Sequence, residues 1–270
     1  MNGQKPEVNM LKVATQTFHT LDGACVAAEV LARLQVGKRE FTPYTFMNGC
    51  TAEGWHSLDL AVITLIASME QVHSSPVPTF VNVSPGTLEN DKYMDSFCSH
   101  IEEQVSTRQA DLVIEIPELS SLSGQRLTSK LRDLESAGAK LAIDDFGCAY
   151  AAQERLESYD WHYCKIDLGA VQLRNDLDWM EKAIRYSQSN GIQIIMEKIE
   201  SFRDIDALSP VKNRAWFQGY CFSRPCTLDT ALDIADSRIG YLASRGLAKR
   251  GYPAREEVTS SEARTSRRSG

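Results

Sequence analysis

The chain has 270 residues, 43% of them apolar, enough for one large core, and α/β barrels fill this length as a single domain. A formal net charge of −7 excludes charge-driven binding to a nucleic-acid polymer, which needs a basic face, although bound cations can reverse the field locally for an anionic substrate. No apolar run approaches the roughly 18 residues of a membrane span, the opening residues are too polar for a secretory signal, and seven scattered cysteines without a C-x-x-C pair read as reduced thiols of a cytoplasmic protein.

Residues 1–9 are a short polar lead. Strand-like runs follow at 11–17 and 24–31, then a helical pattern at 58–72, a strand at 79–83 and a helix at 87–105. The alternation continues with a strand at 112–116, a helix at 123–137, and strands at 140–143 and 162–166. After a helix at 176–190 come a strand at 192–196, a helix at 202–208, a strand at 215–217 and a last helix at 228–247. Gly138 and Gly191 stand just past two of the helices, where a left-handed cap favours glycine. Short strands alternating with helices point to βαβ units around a largely parallel sheet, in one barrel domain over residues 10–250. Residues 251–270 are read as a disordered tail, because from 256 onward Val258 is the one large apolar side chain and little surface could be buried.

Polar residues recur where apolar runs finish. Ala27-Ala28 leads to Glu29, Phe80-Val81 to Asn82, Val113-Ile114 to Glu115, and Ala142-Ile143 to Asp144-Asp145. Tyr163-Cys164 leads to Lys165, Ile195-Met196 to Glu197, and Trp216-Phe217 to Gln218. Seven strands are therefore expected to terminate in a carboxylate, amide or amine, and a barrel gathers the C-terminal ends of its parallel strands at one face. Five carboxylates in one mouth repel one another unless positive charge is added. Hard divalent cations with oxygen ligands, Mg²⁺ or Mn²⁺, supply it, and adjacent Asp144 and Asp145 suit a pair of ions of the kind that hydrolyses phosphodiesters.

These segments resemble the EAL domain family. Glu29-Val30-Leu31-Ala32-Arg33 is similar to its name-giving signature, and Val81-Asn82-Val83-Ser84-Pro85 to its Asn-x-Ser-Pro segment. Glu115-Ile116-Pro117-Glu118, Asp144-Asp145-Phe146-Gly147 and Lys165-Ile166-Asp167 resemble its E-L-T-E, D-D-F-G and K-I-D. Glu197-Lys198-Ile199-Glu200 and Gln218-Gly219-Tyr220 resemble E-G-V-E and the closing Q-G-Y. The resemblance implies a modified TIM-type (β/α)8 barrel whose first strand is antiparallel, and hydrolysis of cyclic di-GMP to linear pGpG with two Mg²⁺ or Mn²⁺ ions. It implies that Glu29, Asn82, Glu115 and Asp144 hold one ion and that Asp144, Asp145 and Glu197 hold the other. Lys165 would then orient and help activate the attacking water, with Glu197 close to that water. Gln16, Arg33, Glu200 and Gln218 would contact substrate, Glu118 would anchor the loop after Asp145, and Asp167 would support Lys165 or the ions.

The resemblance has departures. Cys148-Ala149-Tyr150-Ala151-Ala152 replaces T-G-Y-S-S, Lys198 replaces a glycine, Pro117 replaces a threonine, and residues 41–46 lack the acidic end of F-I-P-L-A-E. None deletes an expected ligand. The alternative reading is a weak or inactive EAL-like module that binds cyclic di-GMP or a regulatory protein partner, and a homodimer is compatible with either. The five histidines lack ligand spacing, and Trp161, Trp179 and Trp216 are read as packing residues.

Overall fold

β1 (Asn9–His19) and β2 (Cys25–Val36) form a long antiparallel hairpin. Its turn needs a left-handed residue, which Gly23 supplies at φ +86°, and the Gly23 N–H donates to the Thr20 carbonyl at 2.9 Å. β3 (Arg39–Phe41) pairs along the outer part of β2. β4 (Thr79–Asn82), β5 (Leu112–Pro117), β6 (Lys140–Phe146), β7 (Tyr163–Asp167), β8 (Gln193–Glu197) and β9 (Trp216–Phe217) then follow β2 side by side, each parallel to the one before. β9 pairs back onto β1, so eight strands close a ring in which β1 is antiparallel to both neighbours. β10 (Cys226–Asp233) pairs with β1 outside the ring. This is the modified TIM-type barrel expected from the sequence. The computed structural model describes residues 9–117, 120–147, 152–173, 178–208, 212–234 and 238–249. Most of the lead, the tail, Glu118 and residues 148–151 lie outside them.

Strands such as Leu112–Pro117 are apolar on both faces because helices cover the ring, as in other parallel sheets. The helix Ala52–Ala67 starts at Thr51, whose hydroxyl accepts from the Gly54 N–H at 3.3 Å, and Asn90 caps Asp91–Val105 in the same way. Gly138 (φ +92°) and Gly191 (φ +72°) follow Gly124–Ser136 and Asp178–Asn190, as their sequence positions suggested.

The ring interior is built in two layers. Phe18, Ala27, Phe80, Val113, Ala142 and Ile195 form a buried cluster, joined by Tyr163 and Trp216. Phe80 touches both Phe18 and Tyr163 at ring-centroid distances of 4.8 Å, so this plug is aromatic and closed. Side chains alternate along a strand, so the residue two places on shares the interior face, one level up. From the plug residues these are Glu29, Asn82, Glu115, Asp144, Lys165, Glu197 and Gln218. In β1, which runs the other way, the step from Phe18 leads back to Gln16. Residues of opposite parity, such as Ile114, Ile143, Ile166 and Met196, enter the large core beneath the helices.

Two expectations are corrected. The polar residues do not all terminate strands: Glu29, Glu115, Asp144 and Lys165 lie within β2, β5, β6 and β7. What sets their level is the two-residue step from the plug, and β2 runs past the rim because it is half of the hairpin. The helix expected over 228–247 begins at Arg238, and its first part is instead β10. Pairing of Leu232 with Leu11 and Ala231 with Lys12 outweighs the helical preference of that stretch.

Candidate active site

Lys165 stands at the centre of the polar layer. Its ammonium Nζ lies 2.5 Å from Glu115 Oε1, 2.9 Å from Asp144 Oδ1, 2.9 Å from Glu197 Oε1 and 3.6 Å from Glu29 Oε2. The residue is 1% exposed and its charge rests 5.9 Å above the Phe18 ring of the plug. Burial disfavours the ammonium, but the charges of Asp144, Glu115, Glu197 and Glu29 outweigh it and hold the lysine well above its usual range. Glu115 is raised well above the ordinary carboxylate value, first by burial and then by the Glu29 charge. Glu197 is raised by burial, with Lys165 opposing and Asp144 and Glu29 reinforcing. Burial also works against ionised Glu29, yet Lys165 and the hydrogen bonds it receives keep this carboxyl below its ordinary value.

Those bonds set the rim. Asn82 Nδ2 donates to Glu29 Oε1 at 2.9 Å, and Gln218 Nε2 donates to Glu29 Oε2 at 2.6 Å. Gln16 Nε2 donates to the Ser223 carbonyl at 3.0 Å, while its own oxygen lies 3.3 Å from Gln218 Nε2. A cleft of about 400 Å³ opens beside this group, lined by Gln16, Glu29, Glu197, Glu200, Gln218 and Tyr220 among others. Gln218 is kept there by a close approach of backbones: a Cβ on Gly219 would strike the Ile199 carbonyl, and the Ile199 N–H donates to the Gln218 carbonyl at 3.1 Å.

At the other side of the mouth, Asp144, Asp145 and Glu197 each offer an oxygen within 4.8 Å of the others. Asp145 sits at φ +52°, an uncommon conformation for a residue with a Cβ, which turns it out of the β6 register. Its carboxyl is raised by burial and then by Asp144, against Lys198 and Lys165. Asp167 Oδ1 accepts the Gly169 N–H at 2.6 Å, and Oδ2 contacts the Lys198 ammonium.

Ten of the expected site residues thus share the mouth: Gln16, Glu29, Asn82, Glu115, Asp144, Asp145, Lys165, Glu197, Glu200 and Gln218. Asp167 sits at its edge, at the level where β7 pairs with Glu197 of β8. Arg33 is half-buried farther along β2, with Nη1 donating to the Ala32 carbonyl at 2.9 Å. Burial lowers its pKa, against the nearby charges of Glu40 and Glu29. Glu118 lies outside the described residues. Two residues were not singled out from the sequence. Tyr220 is 53% exposed beside the cleft with the Arg224 guanidinium 4.4 Å from its ring centre, and its place right after Gln218-Gly219 was the available signal. Lys198, noted only as a departure, carries the second ammonium of the mouth.

Residues 6–225 match the family model described as the EAL domain. A probable cyclic di-GMP phosphodiesterase of Escherichia coli, PdeN, is 28% identical over 170 residues, which are 60% of this chain and 32% of that protein. The biofilm architecture maintenance protein MbaA of Vibrio cholerae is 26% identical over 230 residues, 80% of this chain and 28% of that protein. The matched region spans about a third of the length of these relatives. Among solved structures, the Bacillus subtilis YkuI protein, which has an EAL domain and is complexed with cyclic di-GMP and calcium, gives a TM-score of 0.70 at 19% identity over 89% of this chain and 62% of that one. Klebsiella pneumoniae BlrP1 with manganese and cyclic di-GMP gives 0.63 at 24% identity over 86% and 58%.

Proposed function

The chain belongs to the EAL domain family, and from that premise we propose that it is a metal-dependent phosphodiesterase that opens cyclic di-GMP to linear pGpG. The observation that carries this reading is the ring of acids around buried Lys165, one or two from each of four strands. Relatives named as cyclic di-GMP phosphodiesterases and fold neighbours complexed with cyclic di-GMP support it.

The donor set fits divalent cations. Glu115 is wholly buried, its Oε2 has no hydrogen-bond donor among the described residues, and the ammonium that pairs with its Oε1, Lys165, is shared with Glu29, Asp144 and Glu197. Such a carboxylate is costly unless a cation or a proton compensates it. Glu29, Asn82, Glu115 and Asp144 would hold one ion and Asp144, Asp145 and Glu197 the other, with Mg²⁺ or Mn²⁺ as the oxygen-seeking choices. Ions bound there supply Lewis acidity toward a phosphoryl oxygen and make a nearby water easier to deprotonate.

The chain's own groups do the rest. Gln16, Glu200 and Gln218 line the cleft and present the dinucleotide to the acids, and Arg33 pairs with a phosphate from the outer part of β2. Glu197 would lie close to the attacking water and accept its proton. The water oxygen bonds to phosphorus as the P–O3′ bond breaks, and the departing oxygen takes up a proton from solvent while Glu197 returns the one it accepted, giving a 5′-phosphate and a 3′-hydroxyl. Lys165, set among these acids, would orient the attacking water, help activate it and stabilise negative charge on the phosphate. A binding module without hydrolysis is favoured by one feature, Lys198. The test is chromatography of products after incubating the protein with cyclic di-GMP and Mn²⁺. Wild type should yield pGpG and Glu29→Ala none; equal turnover by the two would remove the acid ring from the reaction.

A further inference from the structure

Lys198 and Asp145 are the two non-glycine residues at positive φ among the described residues, at +60° and +52°. They face each other across the mouth, with Lys198 Nζ 3.9 Å from Asp145 Oδ1. The same ammonium contacts Asp167 Oδ2, whose side chain is 7% exposed, while the lysine side chain is 62% exposed. A left-handed backbone penalises any residue with a Cβ, and lysine has no local hydrogen bond to offset this as asparagine or aspartate can. The position is therefore one where glycine is the easier choice, and what lysine adds is a positive charge on two carboxylates.

That charge divides the mouth. Lys165 reaches Glu29, Glu115, Asp144 and Glu197, and Lys198 reaches Asp145 and Asp167. Six carboxylates against two ammonium groups leave a formal excess of four negative charges, so the two lysines alone do not neutralise the mouth. The two lysines differ in access, however. Lys165 is enclosed, whereas Lys198 enters from solvent on a long side chain that can swing away.

We propose that Lys198 is a built-in competitor of the second cation: its ammonium occupies the Asp145–Asp167 edge, so the Asp144–Asp145–Glu197 cradle fills only at higher cation concentration than the Glu29–Asn82–Glu115–Asp144 cradle. This rests on the two-cation reading above. It makes cation loading sequential, with the second step set by one side chain that must be displaced. Lys198 is here a positioning residue that acts on cation occupancy.

The test is Mn²⁺ titration of cation-stripped protein, reading free Mn²⁺ by electron paramagnetic resonance, with no substrate present. Wild type should show one tighter and one weaker site. Lys198→Met keeps a Cβ at the left-handed position and removes only the charge, so it should tighten the weaker site about tenfold or more and leave the tighter one within about threefold. Lys198→Gly should do the same, and Lys198→Arg should keep the wild-type pattern. Two sites of unchanged affinity in both Lys198→Met and Lys198→Gly would overturn the competitor role and leave the two-cation reading standing. Absence of Mn²⁺ binding in wild type and all variants would overturn the two-cation reading and this inference with it. A weaker site detectable only in Lys198→Met and Lys198→Gly, beside a tighter site that all proteins share, would support the competitor role in its strongest form.

Discussion

At the level of single residues, Lys165 carries the sharpest consequences. With the ammonium gone, four acids would be left without their shared partner, and breaking a buried pair costs about 3–5 kcal/mol. Lys165→Met should therefore melt lower than wild type in chelator, and Mn²⁺ should narrow the gap. With Mn²⁺ present, turnover should fall by about 10²–10³-fold with a modest change in KM, the pattern of a group acting mainly in the transition state. A raised KM at unchanged kcat would make it a binding residue only. Asp59 is a different kind of buried acid. Its Oδ2 accepts the Ser84 N–H at 3.0 Å, the Ser84 hydroxyl at 2.6 Å and the Thr87 hydroxyl at 2.6 Å, fixing the segment that follows Asn82. Burial raises its pKa to about 6 against those bonds. Folded protein thus holds this proton more tightly than the unfolded chain, so the associated stability is complete below the unfolded value of 3.8 and is lost as pH rises through about 6. At about 1.4 kcal/mol per unit, wild type should lose on the order of 3 kcal/mol relative to Asp59→Asn between pH 3.5 and 7. Denaturation curves across that range check it, and parallel profiles would contradict it. The role of Asp59 was not legible in the sequence, because a single aspartate in a helical stretch looks the same whether it faces solvent or a buried turn.

At the level of elements, the parallel strands and their polar residues could be read from the sequence, because apolar runs buried on both faces are distinctive. The two-layer interior could have been read too, from the i, i+2 step at Phe80–Asn82 or Tyr163–Lys165. The mouth residue of β1 was harder: in an antiparallel strand Gln16 precedes its plug residue Phe18, and only the family resemblance pointed to it. The C-terminal elements were misread because β10 pairs with a distant partner, β1, and nothing local reveals that pairing. The helix Arg238–Lys249 lies beyond the matched EAL segment, yet it packs closely on the chain before Ala52. A Cβ on Gly246 would strike the Phe46 carbonyl, and Leu242 reaches the backbone at Gly54. Gly246→Ala should lift this helix at a cost of about 1–3 kcal/mol, lowering Tm by several degrees. Affinity for cyclic di-GMP should be unchanged, because every expected mouth residue precedes residue 219. An unshifted Tm would show that the helix does not bear on the barrel.

At the level of the whole molecule, hairpin, ring and helices together collect one polar residue per strand over an aromatic plug. Apart from adjacent Asp144 and Asp145, the acids are separated in sequence by tens of residues, so their convergence depends on closure of the ring by the β9–β1 pairing. We propose that the barrel unit runs through residue 249, including β10 and the helix after it. No helix among the described residues is long and apolar enough to cross a membrane. The measurement that bears most directly on the proposed activity is the product of cyclic di-GMP under defined cations, separated by anion-exchange chromatography. With Mg²⁺ or Mn²⁺ the expected product is pGpG alone. With Ca²⁺ turnover should be abolished, since that ion takes 6–8 ligands at about 2.3–2.6 Å where Mg²⁺ takes six at about 2.0–2.1 Å. Intact cyclic di-GMP after incubation with saturating Mn²⁺, or undiminished pGpG formation after exhaustive chelation, would contradict a cation-dependent phosphodiesterase built on the Lys165 acid ring.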